Sequence, residues 1–198
     1  MCTWKMDTQY SPQSDKTIGI AHPGKMGGTL AYALCKSGHR VVWASADRSE
    51  ATHERAAEFD LTDLVTLDAM LAKCDIIFCI AFGGAPLEIA NYVASRGYNG
   101  LYVDANGLWG EESEQEIASI ITGAGIDYVE AGLYGWPYPG REGYTNEHTL
   151  YLSGDRAQEV ADLFTDGYWT PEVHETSAKE VKRLRNDRER GTEFPDEK

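Results

Sequence analysis

The sequence has no apolar run approaching the ~18 residues of a membrane span, and its polar opening, Met1–Lys16, lacks the apolar centre of a secretory signal. The expectation is a cytoplasmic protein. Cysteine is scarce: Cys2, Cys35, Cys74 and Cys79 are the four present, and none forms a Cys-x-x-Cys pair. That pattern argues for reduced, packed thiols over a disulfide framework or a zinc site. His39, His53, His148 and His174 are scattered without ligand spacing, so no metal centre is expected. Positive charge is also short, with 18 Lys and Arg against 32 Asp and Glu, a net charge of −14. The acidic excess lies before Pro171, because the stretch beyond it is nearly balanced, seven basic residues against eight acidic. Such a field repels phosphate backbones and anionic lipid, and the body holds no basic patch to overcome it. Nucleic acid and membrane surfaces are therefore excluded as partners. What remains is ordinary globular composition, 42% hydrophobic over 198 residues, enough for one domain with a core.

Thr17–Ala21 is a short apolar run, followed by His22-Pro23-Gly24-Lys25-Met26-Gly27-Gly28. Thr29–Lys36 comes next, with Leu30, Ala33 and Leu34 at helical spacing. This reads as strand, glycine-rich turn and helix, and Val41–Ala44 restarts a strand to complete a βαβ unit. Helices follow over Ser49–Phe59, Leu67–Lys73, Pro86–Ser95 and Glu111–Thr122. They alternate with strands near Leu64–Val65 and over Asp75–Ala81, Leu101–Asp104 and Asp127–Ala131. Alternation this regular predicts an α/β fold with a doubly wound, mostly parallel sheet. Glu111, Glu112, Glu114 and Glu116 crowd the opening of one helix, where they face the positive end of the macrodipole or simply form a solvated face.

After Ala131, Gly132–Gly140 is too rich in proline and glycine for a strand and reads as a loop. Thr149–Leu152 then reads as a strand, Ala157–Phe164 as a short helix, and the body closes near Tyr168–Val173. Ser177 and Glu180 form a capping box opening a densely charged, exposed helix that ends at Gly191. The expected organisation is an extension over 1–16, a body over 17–173 and a helical tail over 174–198.

The first turn carries the chemistry. In a doubly wound sheet a ligand sits at the carboxyl ends of the strands, with a pyrophosphate on the N–H groups that open the first helix. Gly24 and Gly27 have the spacing of the second and third glycines of Gly-x-Gly-x-x-Gly, while His22 stands at the first. His22 is read either as a contact to the dinucleotide or as a turn-stabilising residue.

From Ile18 to Gly27 the sequence resembles the fingerprint of the NAD(P)-binding domain of the 6-phosphogluconate dehydrogenase and 3-hydroxyisobutyrate dehydrogenase superfamily, whose turn commonly ends in Met-Gly. With His22-Pro23, Gly38-His39 and Val42-Trp43-Ala44-Ser45, it is most similar to a branch of 6-phosphogluconate dehydrogenase-like oxidoreductases. The similarity continues through Leu101–Asn106 and Tyr151–Gly154. The resemblance implies a Rossmann-type sheet and a cofactor set of His22, Pro23, Gly24, Lys25, Met26, Gly27, Ser45, Arg48, Ser49 and Ala81.

Arg48 with Ser45 and Ser49 favours the 2′-phosphate of NADP, with NAD as the alternative if Asp47 contacts the ribose instead. These are also ordinary loop residues. The resemblance further implies a proton-transferring lysine with an asparagine shortly after it, matched here by Lys182 and Asn186 on one helical face. A solvated basic face is the competing reading of that helix. Tyr134 and Gly135 fall at the superfamily's substrate loop, although Tyr134 stands where a serine is usual. Asn106 matches a polar position near the nicotinamide and substrate, or is a turn residue before Gly107.

The superfamily continues into a further helical domain that completes the pocket and the dimer, so a homodimer is left open. The resulting expectation is an NADP-preferring oxidoreductase transferring hydride at a hydroxy-acid carbon or an imine, with a dinucleotide and a small molecule as partners. The alternatives are a non-catalytic nucleotide-binding module or pseudoenzyme lacking the substrate domain, and a structural protein without cofactor.

Overall fold

The computed structural model describes residues 16–81, 83–107, 111–138 and 147–193. The elements run β1 (Thr17–Ile20), α1 (Lys25–Lys36), β2 (Arg40–Trp43), α2 (Glu50–Glu58), β3 (Thr62–Asp63), α3 (Leu67–Leu71) and β4 (Ile76–Cys79). They continue through α4 (Ala85–Ser95), β5 (Leu101–Asp104), α5 (Glu111–Gly123), β6 (Asp127–Tyr134), β7 (Thr149–Ser153), α6 (Ala157–Ala161), β8 (Thr170–His174) and α7 (Ala178–Glu193). The strands form one eight-stranded sheet in the order β3-β2-β1-β4-β5-β6-β7-β8. Every neighbouring pair is parallel except β6 with β7. This is the doubly wound, mostly parallel α/β sheet expected from the alternation of elements.

Side chains alternate between two apolar layers, as the period of a strand requires. Ile18, Ile20, Ile76, Phe78, Leu101 and Val103 pack with Leu30 and Leu34 of α1, Ala56 of α2 and Val160 of α6. Ile77, Cys79 and Tyr102 point the other way, against Met70 of α3, Ile89 and Val93 of α4 and Ile117 of α5. Strands β4 and β5 are buried along their whole length, which explains their near-continuous apolar sequences.

Three elements depart from expectation. Strand β6 continues through Gly132, Leu133 and Tyr134, because antiparallel β7 pairs with each of them and overrides the local loop signal. Strand β3 lies at Thr62–Asp63, not at Leu64–Val65, since Val65 adopts a positive φ of 66° that no strand accepts. The helix expected to be exposed, α7, runs through Gly191 and docks on β6 and β7 with Ala178 and Lys179 buried. No helix among the described residues is long and apolar enough to cross a membrane.

Candidate functional site

The sheet order reverses at β1 and β4, the point at whose carboxyl ends open α/β sheets bind their ligands. The turn leaving β1 is held tightly: the Gly24 N–H donates to the His22 carbonyl at 2.8 Å, and the Gly28 N–H donates to the Gly24 carbonyl at 2.7 Å. A Cβ on Gly27 would collide with the His22 carbonyl oxygen, so glycine is needed there for the close approach of helix and strand. Gly24 has an ordinary φ of −66°, and what it provides is room beside the His22 ring, whose Nδ1 would lie 3.1 Å from a Cβ. No side chain caps α1. Its opening N–H groups, at Lys25, Met26 and Gly27, therefore have the arrangement that receives an anion.

Two arginines stand behind this turn. Arg48, from the loop after β2, donates from Nη2 to the Ala21 carbonyl at 3.3 Å, and its Nε is buried without a partner among the described residues. Ser45 and Ser49 flank it. Ser49 precedes α2 with its Oγ 3.1 Å from Thr52 Oγ1, while Asp47 is exposed with a φ of 60°. Arg55 was not singled out from the sequence, yet its Nε donates to the Pro23 carbonyl at 3.2 Å. The available signal was spacing: Thr52, Arg55, Ala56 and Phe59 share one face of α2, which packs against α1. Burial, then Arg48 and Arg55, hold the His22 imidazole below its ordinary pKa, so the turn keeps a neutral ring among fixed positive charges.

Further along the same edge, the ends of β4 and β5 are tied together. Asn106 accepts the Ala81 N–H on Oδ1 at 2.6 Å and donates from Nδ2 to Asp104 Oδ1 at 2.5 Å. Asn106 is thus a cross-strand brace as well as a residue before a glycine. Asp104 is fully buried, and its Oδ2 accepts from Tyr128 at 3.1 Å and from Lys179 Nζ at 2.7 Å.

Helix α7 descends onto this group. Glu130 accepts from Ser177 Oγ at 2.6 Å and from the Lys179 N–H at 3.3 Å, while Ser153 Oγ accepts the Ala178 N–H at 3.0 Å. Gly132 lets the helix come close, because a Cβ there would stand 2.8 Å from the Ala178 carbonyl and 3.1 Å from Lys182 Cβ. Lys182 consequently lies above the Asn106–Gly107 loop, its Nζ 3.7 Å from where a Gly107 Cβ would be. No carboxylate among the described residues pairs with this amine. Burial, followed by the charge of Lys179, lowers its pKa, against a smaller opposing effect of Glu114. Asn186 follows one turn later, half-buried.

Tyr134 lies under the Arg185 guanidinium at 3.8 Å, and Gly135 turns the chain with a φ of 134° where a Cβ would meet the Glu147 carbonyl at 2.8 Å. The β6–β7 connection is fastened over α1 by the Tyr138 N–H, which donates to Thr29 Oγ1 at 2.8 Å, and by the packing of Tyr32, Phe59, Tyr138 and Tyr168. The structure thus brings Ala81 to Asn106 and Lys182 to Gly107. The β1 turn stands apart from the Lys182 amine, since that amine lies over the loop after β5, and β1 and β5 are two strand spacings apart, roughly 10 Å.

Strand order and open turn together define the Rossmann-type class of α/β folds. No family model matches the chain, and no curated protein matches it in sequence. Among solved structures, the fold is that of the domain found in 3-hydroxyacid dehydrogenase-like proteins and imine reductases. A conserved protein of unknown function, described as structurally similar to 3-hydroxyacid dehydrogenases, aligns with a TM-score of 0.75 and 24% identity over 89% of this chain and 65% of that one. The imine reductase of Myxococcus stipitatus in complex with NADP+ aligns at 0.67 and 21%, over 90% of this chain and 62% of that one. The 3-hydroxyisobutyrate dehydrogenase of Mycobacterium tuberculosis with L-serine gives 0.70 and 16%, over 86% and 59%. The chain therefore spans less than two thirds of the length of these structures.

Proposed function

We propose that this protein binds a nicotinamide dinucleotide, NADP in preference to NAD, and takes part in hydride transfer at a hydroxy-acid carbon or an imine. The observation that carries the reading is the uncapped start of α1 at the reversal of strand order, with Arg48 and Arg55 anchored beside it. The residues fit the cofactor: Gly24 and Gly27 keep the turn small, and Lys25, Met26 and Gly27 offer backbone donors. Arg48 presents a buried, unpartnered Nε in the loop that selects the adenosine ribose, with Ser45 and Ser49 as hydroxyl donors for a 2′-phosphate. The neighbouring structures that hold NADP+ and L-serine support a dinucleotide and a small polar substrate.

When bound, the nicotinamide supplies or accepts the hydride. Lys182 is assigned the proton. Its amine is half-buried and unpaired among the described residues, and its lowered pKa makes the neutral form more accessible than in water. Asn106 orients the loop beneath it, and Tyr134 and Gly135 form the far wall for the substrate. Asn186 stands on the same face of α7 to steady the substrate or the lysine.

The test is a titration with NADPH and NADH, following melting temperature and nicotinamide fluorescence, then turnover on 3-hydroxy acids, carbonyls and imines. A ligand binding only the folded state raises its apparent stability. An NADPH-selective shift with turnover supports the whole reading. Binding without turnover reduces it to a nucleotide-binding module, and no binding by the folded protein refutes it.

A further inference from the structure

Lys179 is buried, and the proposed function gives it no task. Burying an ammonium and a carboxylate together costs more solvation than an apolar pair of the same size, so stability alone does not account for such a pair. The first turn of α7 is in any case already held by Glu130, Ser153 and the close contact at Gly132.

The Asp104 carboxylate is where the other functional groups meet. One oxygen accepts both donors of Asn106, at 3.2 Å from the backbone N–H and 2.5 Å from Nδ2. The other accepts Tyr128 and Lys179. Lys179 and Lys182 lie three residues apart, on neighbouring turns of one helix face. We propose that Lys179, pinned by Asp104, is the positioning residue for the Lys182 amine, and that this one ion pair sets Asn106 and Lys182 relative to each other above Gly107.

The charges around Lys182 agree with that role. Lys179 and Arg183 act on it from α7 and Glu114 from α5, while around Lys179 stand Asp104 of β5 and Glu130 of β6, with Tyr128 bonded to Asp104. Each carboxylate is engaged elsewhere: Glu114 by Arg183 at 2.9 Å, Asp104 by Lys179 at 2.7 Å, and Glu130 by Ser177 at 2.6 Å. The fixed charge of Lys179 is the largest contribution after burial to lowering the Lys182 pKa. An ammonium held beside an amine by a buried carboxylate is a physical device for keeping that amine available as a base.

This proposal rests on the assignment of Lys182 in the proposed function, so its test uses neither cofactor nor substrate. The 198-residue chain is acetylated with limiting acetic anhydride between about pH 6 and pH 11, and Lys182 is followed by peptide mass mapping, with an added unstructured lysine peptide as the reference. In the native protein Lys182 titrates below that reference, and Lys179→Arg, which keeps the charge, leaves its midpoint in place. Lys179→Met raises the Lys182 midpoint, so less of the amine is free at neutral pH.

If Lys179→Met does not fold, Asp104→Asn/Lys179→Gln replaces the ion pair by an amide pair and gives a smaller rise in the same direction, because the opposing Asp104 charge leaves with that of Lys179. An unchanged Lys182 midpoint in a folded charge-removing variant overturns the proposal. So does a native Lys182 that reacts like the reference peptide, or failure of Lys179→Arg to keep the midpoint. The NADPH titration is independent of all these outcomes, so the dinucleotide reading and this one stand or fall separately.

Discussion

Gly27→Ala tests the architecture of the β1 turn most directly. The added methyl collides with the His22 carbonyl, which cannot swing away because it accepts the Gly24 N–H at 2.8 Å. The start of α1 must retreat, a strain of the kind that costs about 1–3 kcal/mol. In a chain of this size each kcal/mol lowers the melting temperature by roughly 2–4 °C, so a fall of about 2–12 °C is expected. Retreat of the helix also pulls a backbone donor from the anion position, and losing one charge-assisted hydrogen bond of about 1.5–3 kcal/mol weakens NADPH binding by roughly 10–100-fold.

Gly28→Ala is the control one residue later. Its methyl meets side-chain atoms and no backbone: Phe59 Cε2 at 3.1 Å, which has to give by a few tenths of an ångström, and Arg55 Cδ at an ordinary 3.8 Å. Alanine in a helix interior also gains about 1 kcal/mol over glycine, so this variant keeps its melting temperature and its affinity. The assays are thermal denaturation followed by circular dichroism and titration by nicotinamide fluorescence. The reasoning is refuted if Gly27→Ala melts and binds like the parent, or if Gly28→Ala is the more damaging of the two.

Arg48→Ala should weaken NADPH by roughly 10–100-fold in a fluorescence titration while leaving NADH within about threefold, and equal losses for both would remove Arg48 from the 2′-phosphate site. Asp104→Ala strands a buried ammonium at about 3–5 kcal/mol, a fall of roughly 6–20 °C in melting temperature, and Asp104→Leu/Lys179→Met should recover only part of it, because Asn106 and Tyr128 still lack their acceptor. A double variant no more stable than Asp104→Ala would mean that the stranded ammonium is not what costs the stability. Arg156, then Lys16, holds the Glu159 carboxyl at about 2, below its ordinary value of 4.5, so the stability it contributes is complete above that ordinary value and disappears as pH falls towards 2. Glu159→Gln should accordingly melt lower than the parent at neutral pH and like it near pH 2; a gap that stays constant with pH would contradict the linkage.

The parallel half of the sheet was legible because its signals are local. The spacing of Gly24 and Gly27 marked the β1 turn, and Leu101–Asp104 matched its strand residue for residue. Interactions supplied from far along the chain were not legible. Gly132 breaks a local strand pattern, yet it lies in β6 because β7 pairs with it and α7 needs its missing side chain. Val65, a strand-former by type, is bent to positive φ by bonds to Asp63 and Ala46.

Candidate site residues divide in the same way. His22 through Gly27, Ser45, Arg48 and Ser49 are contiguous with recognisable turns. The burial of Lys179 instead depends on Asp104, 75 residues earlier, and in sequence alone it was one more charge in a basic helix. In sequence Asn106 reads as a polar position near the nicotinamide and substrate or as a turn residue before Gly107; its bond to the Ala81 N–H is not legible there, because Ala81 follows another strand.

The two outer strands have a consequence for how the protein behaves in company. At one side the sheet ends in β3, only two residues long and carrying Asp63; at the other it ends in β8, where Pro171 withholds an N–H and Glu172 adds charge. Neither border offers the long, flat, hydrogen-bonding row onto which a strand from another molecule adds. Among the described residues the sheet ends at eight strands, and these borders disfavour the fusion of two copies edge to edge. The strand ends of β1, β4, β5 and β6 that form the candidate site stand at the centre of the sheet, away from both borders.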